Sequence, residues 1–142
     1  MTTSRAELIT LTNADPRFYE LVGPFIGRRD VHRAVGSAVY DDADKTWLVV
    51  LIGGEVAGFL SYRGQRGSIA AESCYIARRN ADGSEDPGVR MALLQKLIDI
   101  TAPSPIQAMV PKAVVETYLD LGFTELPAKS TKNFVSLIRS TS

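Results

Sequence analysis

Two apolar runs separated by Gly53-Gly54 give the strongest local prediction in this 142-residue sequence. The first run is Trp47 to Ile52, and the second is Glu55 to Tyr62. A two-residue hairpin loop needs positive φ angles, which glycine adopts without steric cost, so the pattern predicts two antiparallel strands joined by a tight turn. A second turn, Gly64 to Gly67, leads into Ser68 to Ala77 and predicts a third strand. The centre of the fold is therefore expected to be a three-stranded meander.

The segment before the meander combines a strand with helical periodicity. Glu7 to Thr12 has the β-branched density of a short strand, and Asn13 to Pro16 ends it and offers a helix cap. Apolar residues recur at helical spacing from Phe18 to Ala38, on both sides of Gly27 to Arg29. This pattern predicts two helices or one broken helix.

The segment after the meander alternates helices and strands. An amphipathic helix begins at Pro87, capped by Asp86, and a strand follows at Ile106 to Val110. A short helix from Lys112 to Leu121 ends at a glycine, and the chain closes with a strand at Phe134 to Ile138. A helix between the fourth and fifth strands predicts a parallel crossover. The whole order predicts one α/β domain over residues 1–142, a mixed sheet of about six or seven strands with helices on both faces.

Charge balance and the scarcity of histidine and cysteine narrow the function classes. Lys plus Arg total 16 and Asp plus Glu total 16, which disfavours a general polyanion binder. The single histidine, His32, disfavours a histidine-built metal site or triad, and the single cysteine, Cys74, has no partner for an intramolecular disulfide. Asp41, Asp42 and Asp44 lack the glycine and terminal glutamate of a calcium loop, so we expect a solvated turn and no metal.

Hydropathy gives an expectation about location. The longest apolar run, Trp47 to Ile52, is far shorter than the ~20 residues that a membrane-spanning helix needs. The first residues, Met1 to Arg5, lack the apolar core of a secretion signal. We therefore expect no membrane segment and a cytoplasmic location.

Two stretches, Glu116 to Phe123 and Pro87 to Leu94, resemble motifs of the GNAT acetyltransferase family. In Glu116 to Phe123, Tyr118 stands four residues before Gly122, as at the end of the last core helix in many members. Pro87 to Leu94 resembles the family's Gly-x-Gly-Ile-Gly-x-x-Leu-Leu helix start, and the positions that fit are Gly88, Val89, Leu93 and Leu94. Two positions depart from it, since Arg90 stands where glycine or alanine is usual and Glu85 where arginine or glutamine is usual.

The resemblance implies a co-substrate, acetyl-CoA, and a place for its pyrophosphate. In the family the pyrophosphate lies against the start of this helix, whose unpaired amides and positive dipole end attract anions. The residues implied in CoA binding are Gly88, Val89 and Arg90 on the helix, with Arg78 and Arg79 across the loop. Asp86 and Glu85 oppose phosphate binding because they repel it and compete for the same amides.

The resemblance also implies direct transfer of an acetyl group to an amine acceptor. Tyr118 matches the family's general acid, which protonates the leaving sulfur, although its ring is equally suited to burial beside Val114 and Val115. Glu72 is the only acidic residue on its strand and is the candidate base, or else a solvent-facing carboxylate. Near Tyr75 and Ile76 the family places a main-chain amide that polarises the thioester carbonyl.

Other functions stay open at the level of sequence. One is a noncatalytic interaction module that has lost CoA binding, which Glu85, Asp86 and Arg90 favour. Another is a modifier of nucleic acid, using a basic patch made of Arg63, Arg66, Arg78, Arg79 and Arg90. Cys74 lacks a nearby imidazole for a ping-pong route, and His32 is expected at the surface. The exposed edge of the C-terminal strand would permit a homodimer.

Overall fold

The computed structural model describes residues 6–35, 39 and 43–140. Its strands are β1 (Ala6–Leu11), β2 (Thr46–Ile52), β3 (Glu55–Gln65), β4 (Ser68–Ile76), β5 (Ile106–Pro111), β6 (Thr124–Glu125) and β7 (Phe134–Arg139). Its helices are α1 (Arg17–Leu21), α2 (Gly23–Ile26), α3 (Arg29–Val35), α4 (Pro87–Thr101) and α5 (Val115–Asp120), with 3-10 turns at Lys112–Val114 and Pro127–Lys129. The order of elements agrees with the order predicted from sequence.

One mixed sheet contains all seven of these strands, in the spatial order β1-β2-β3-β4-β5-β7-β6. Strands β1 to β4 pair antiparallel, β4 pairs with β5 in parallel, and β5, β7 and β6 pair antiparallel. Among these strands, the parallel pair is thus the one joined through α4. The predicted mixed sheet and helical crossover are confirmed.

Strand β2 explains why both faces of the sheet are covered. Trp47, Val49 and Leu51 belong to a core cluster that includes Phe18 of α1 and Val31 of α3. The alternate positions of β2 belong to a second cluster, which contains the apolar residues of α4 and the Tyr118 ring of α5. Because successive side chains of a strand point to opposite faces, a continuous apolar run requires helices on both sides.

The first helical region differs in detail from its prediction. It forms three short helices rather than two, with breaks at Val22 and around Gly27 and Arg28. Helix α1 begins one residue later than expected, so Pro16 is at the N-cap, while the Asp15 carboxylate accepts a hydrogen bond from the Arg17 amide at 2.9 Å. Apolar periodicity indicates which face of a helix is buried, and it does not indicate where the helix breaks. Ala38 lies outside the described residues.

Strands β4 and β5 separate soon after they pair. Their register covers Ile69 to Ala71 against Ile106 to Ala108, and no later residue of β4 pairs with β5. The register of β4 with β3 also shifts in this region, and Ser73 has a positive φ of 51°. The two strands therefore leave a gap between them beyond Ala71.

The C-terminal strand is not the open edge that its position in sequence suggested. Strand β7 lies between β5 and β6, and β6 pairs with it at Leu137 and Ile138. The Leu126 amide donates a further hydrogen bond to the Ser136 carbonyl at 2.7 Å. The strand edge proposed for homodimer contact is therefore covered along much of its length.

Candidate active site

The start of α4 is held by its own capping carboxylate. Asp86 has extended backbone geometry, and its Oδ1 accepts a hydrogen bond from the Gly88 amide at 2.9 Å. Its Oδ2 lies 3.4 Å from Arg78 Nε in an ion pair. The predicted cap is confirmed, with Pro87 in the first turn. An anion arriving at these amides therefore meets a carboxylate that already occupies one of them.

Arg90 points into the protein, where it joins two elements. The residue is 4% exposed. Its Nε and Nη2 donate to the two oxygens of Glu85 at 2.8 and 3.0 Å, a bidentate ion pair. Its Nη1 donates to the Tyr118 hydroxyl oxygen at 3.2 Å. The guanidinium thus bridges the loop before α4 and the helix α5.

Tyr118 is buried and held on both sides. Its ring is 1% exposed and packs edge-on against Phe123, with ring centroids 5.3 Å apart. Burial raises the pKa of its phenol well above the ordinary value of 10.0, and the charge of Arg90 opposes that shift. The hydroxyl is therefore protonated at neutral pH, and burial makes it a weaker acid, while the nearby Arg90 cation favours loss of its proton.

The gap between β4 and β5 holds a cavity of about 170 Å³. Tyr118, Arg90 and Cys74 line it, as does Glu72 of β4. The two candidate proton-transfer residues, Glu72 and Tyr118, thus face one space. Burial also raises the pKa of the Cys74 thiol, with Glu85 adding to the shift and Arg90 opposing it, which makes Cys74 a poor nucleophile near neutral pH.

Glu72 is held by an arginine of the neighbouring strand. Its Oε1 lies 3.0 Å from Arg63 Nε, and Arg63 Nη1 lies 3.7 Å from the Asp44 carboxylate. The Glu72 side chain keeps 29% of its surface exposed. A carboxylate that is partly solvated and oriented by a guanidinium can accept a proton directly or through a water molecule.

A second cavity of about 170 Å³ adjoins the first. It is lined by Tyr75, Ile76, Arg79, Glu85 and Arg90. Arg90 lines both cavities, as do Cys74 and Pro111. Arg79 Cζ lies 5.9 Å from the centre of the Tyr75 ring, close enough for a cation–π contact.

The predicted site residues thus lie in the two cavities, at the start of α4 and in the core. Glu72 and Tyr118 line the first cavity, Tyr75, Ile76 and Arg79 line the second, and Arg90 lines both. Gly88 is exposed at the start of α4, and Asp86 contacts both the Gly88 amide and the Arg78 side chain. The Val89 side chain is buried in the core. The structure directs the Arg90 side chain toward Glu85 and Tyr118.

Several arginines of the suggested basic patch are paired with carboxylates. Arg63 contacts Asp44 and Glu72, Arg78 contacts Asp86, and Arg90 is buried against Glu85. These pairs leave little net positive charge for a polyanion.

His32 contacts the Ile26 carbonyl through Nε2.

Two partners were missed at the level of sequence, Glu85 for Arg90 and Arg63 for Glu72. Glu85 and Arg90 are five residues apart and separated by the start of a helix, so no helical spacing rule links them. Arg63 lies near Glu72 because β3 and β4 are adjacent, and the predicted hairpin was the one signal that joined them.

Groups of His, Cys, Asp or Glu that would hold a metal ion are not found among the described residues. Asp41 and Asp42, part of the acidic turn expected to be solvated, lie outside those residues. Within the described part of the chain, each helix is too short or too polar to cross a bilayer.

Solved structures resemble this chain over nearly its full length. N-acetyltransferase PseH of Campylobacter jejuni matches with a TM-score of 0.61 and 16% identity, over 96% of this chain and 99% of PseH. An acetyltransferase of Thermus thermophilus matches with a TM-score of 0.65 and 14% identity, over 98% of this chain and 99% of its own. The aminoglycoside acetyltransferase AAC(6')-Ib, solved with coenzyme A, gives 0.62 and 13%, over 96% of this chain and 95% of its own.

No model of a protein family and no curated protein sequence matches the chain. The structural similarity nevertheless covers at least 96% of this chain in each of these three structures. The chain therefore has the fold of the GNAT N-acetyltransferases, as its sequence predicted.

Proposed function

We propose that this protein is an N-acyltransferase that moves an acetyl group from acetyl-CoA directly onto an amine acceptor. The observation that carries the proposal is the cavity between the diverging strands β4 and β5, which Tyr118 and Glu72 both line. The structural neighbours include PseH in complex with acetyl coenzyme A, with a TM-score of 0.60 and 15% identity. Fold and cavity thus support the same chemistry.

The residues of the cavity have complementary roles in this proposal. The acceptor nitrogen attacks the thioester carbonyl carbon, and Glu72 takes the proton that the nitrogen loses. The carbon–sulfur bond breaks with its electron pair on sulfur, and Tyr118 gives its hydroxyl proton to that sulfur. A main-chain amide near Tyr75 and Ile76 polarises the carbonyl.

The pyrophosphate of acetyl-CoA is assigned to the start of α4. The residues present fit this role with one obstacle, because the Gly88 amide is engaged by Asp86. A phosphate that replaces the Asp86 carboxylate would gain this amide and the neighbouring Arg78, while Arg79 adds positive charge from the same loop.

Binding of acetyl-CoA is tested by thermal shift. We expect native-state stabilisation, which reaches about 2.7 kcal/mol at one hundred times the dissociation constant. Asp86→Asn removes the competing charge and should strengthen binding, whereas Asp99→Asn makes the same charge change near the far end of α4 and should not. Dephospho-CoA tests whether the 3′-phosphate contributes.

A noncatalytic interaction module is the second candidate, because Asp86 occupies the amide that a phosphate needs. It predicts no thermal shift with millimolar acetyl-CoA in the wild type or in Asp86→Asn. That result would contradict the transferase proposal. A nucleic-acid substrate is not proposed, since Arg63, Arg78 and Arg90 pair with carboxylates.

A further inference from the structure

Arg90 has a side-chain environment that phosphate binding does not explain. Its guanidinium is buried, and three of its N–H groups are used by Glu85 and Tyr118. A phosphate ligand at the exposed start of α4 would require this side chain to leave a bidentate carboxylate and a buried hydroxyl. The observed contacts instead connect Arg90 to the proton donor of the proposed reaction.

We propose that Arg90 is a positioning residue for Tyr118, fixing its hydroxyl oxygen and stabilising the phenolate that remains after proton donation. This role rests on the proposed acyl transfer. The Arg90 Nη1 donates to the Tyr118 oxygen at 3.2 Å, so that oxygen acts as an acceptor and its own proton is not used by Arg90. Cys74, which lines the same cavity, is the second hydrogen-bond partner of this hydroxyl. The cavity that Arg90 and Tyr118 line is where the leaving sulfur would take the hydroxyl proton.

Glu85 completes the arrangement by orienting Arg90. Two hydrogen bonds of 2.8 and 3.0 Å lock the guanidinium plane, which leaves Nη1 aimed at Tyr118. A buried cation beside a phenol stabilises the deprotonated form far more than a solvated cation does, because the surrounding dielectric constant is low. Arg90 occupies a position where glycine or alanine is usual in the GNAT family, and in this chain its side chain orients Tyr118, the proposed general acid.

The proton balance of the step is simple. As the carbon–sulfur bond breaks, the Tyr118 O–H bond also breaks and its proton forms the S–H bond of the released thiol. The phenolate remains beside the Arg90 guanidinium until solvent returns a proton. Without the guanidinium, the phenolate is left in the interior with no neighbouring cation to donate hydrogen bonds to it, which disfavours the transfer.

The test measures the phenol directly and then the reaction. A fluorinated tyrosine, which is more acidic than tyrosine, is incorporated at position 118 and titrated by absorbance. The comparison is Arg90→Met/Glu85→Gln against Glu85→Gln alone, because the double variant removes the guanidinium without leaving Glu85 as an unpaired carboxylate. We expect the pKa of the phenol to be higher by at least one unit in the double variant.

Kinetics provide the second readout, with acetyl-CoA and a panel of amines as substrates. The double variant should lose at least tenfold in kcat, with the acetyl-CoA dissociation constant within threefold of that of Glu85→Gln. Arg90→Lys in the same Glu85→Gln background keeps a cation and should recover part of the lost kcat. If the double variant binds acetyl-CoA more weakly than Glu85→Gln while the phenol pKa at position 118 is unchanged, Arg90 contacts the phosphates and is not a positioning residue for Tyr118.

Failure of this inference and failure of the proposed function are distinguishable. Absence of transfer to every amine by the wild type contradicts the proposed function. A phenol at position 118 that titrates identically with and without Arg90 in folded protein contradicts the positioning role. Circular dichroism establishes that both variants remain folded before either result is interpreted.

Discussion

At the scale of single residues, the site depends on how three polar side chains share a buried space. Glu85, Arg90 and Tyr118 form a continuous hydrogen-bonded set from the loop before α4 to helix α5. In a low-dielectric interior, such a set is favourable only while every member keeps its partner. Removing one member is therefore expected to cost either catalysis or stability, depending on which member it is.

Tyr118→Phe removes the proposed acid and keeps the ring. We expect kcat to fall by ~10²- to 10⁴-fold, with the KM for acetyl-CoA nearly unchanged, since the hydroxyl acts on the leaving sulfur. The rate of thiol release from acetyl-CoA in the presence of an amine measures kcat and KM. Tyr19→Phe alters an exposed tyrosine of α1 and serves as the control. Equal turnover in the wild type and Tyr118→Phe would remove Tyr118 from the mechanism.

Glu85→Ala removes the carboxylate, whose side chain is 25% exposed, from its ion pair with the buried Arg90. The Arg90 guanidinium, 4% exposed, would then lack its counter-charge, so we expect a loss of ~3 kcal/mol in the free energy of unfolding. Urea denaturation measures this value. Glu116→Ala removes an exposed glutamate and should change stability by less than about 0.5 kcal/mol. A similar small effect in both variants would mean that Arg90 reaches solvent.

At the scale of elements, the site depends on the close contact between α4 and the centre of the sheet. Gly58 of β3 faces the first turn of α4 with almost no space between them. A Cβ atom built at Gly58 would lie 2.8 Å from Val89 Cγ1 and 3.0 Å from the Tyr75 carbonyl oxygen. The start of α4 is therefore fixed against β3 and β4, next to the cavity that lies in the gap between β4 and β5.

Gly58→Ala tests this contact. The added methyl group should destabilise the fold by about 1–3 kcal/mol, because Val89 and the strand backbone must move apart. Gly64→Ala is the matched control in the same strand, since nothing lies within 4 Å of its built Cβ. Urea denaturation of both variants gives the comparison. Equal stability of the two would show that α4 shifts freely on the sheet.

At the scale of the whole molecule, the free energy of unfolding is linked to the titration of two weak acids, the partly buried Cys74 thiol and the buried Tyr118 phenol. Burial raises the pKa of the Cys74 thiol above 9.0 and that of the Tyr118 phenol above 10.0. Above those pH values the unfolded chain releases protons that the native protein retains. Stability contributed by these groups is therefore complete at lower pH and is lost as the pH rises.

Urea denaturation between pH 7 and pH 11 measures this linkage. We expect the free energy of unfolding to fall above about pH 9, with each group contributing up to ~1.4 kcal/mol per pH unit above its unfolded pKa. Cys74→Ala should reduce the slope from about pH 9, and Tyr118→Phe should reduce it from about pH 10. Slopes identical to that of the wild type would contradict the proposed origin of the alkaline loss.

Several features of the fold follow from short stretches of sequence. Gly53 and Gly54 have φ angles of 60° and 84°, Asp86 caps α4, and Gly122 ends the α5 region with a φ of 93°. Turns and caps depend on residues within a few positions of one another, so local sequence suffices to predict them. The antiparallel meander and the parallel crossover then follow from the order of these elements, whereas the position of β7 between β5 and β6 does not.

The arrangement of the candidate site depended on tertiary structure. Arg90 and Tyr118 are 28 positions apart, and they meet because β4 and β5 separate and because α5 packs on the same face as α4. The direction of a long charged side chain is set by which partners surround it, and those partners come from distant segments. Sequence alone thus predicted the GNAT fold through local turns, caps and motifs and suggested candidate site residues, whereas only the folded chain decided that Arg90 faces Tyr118.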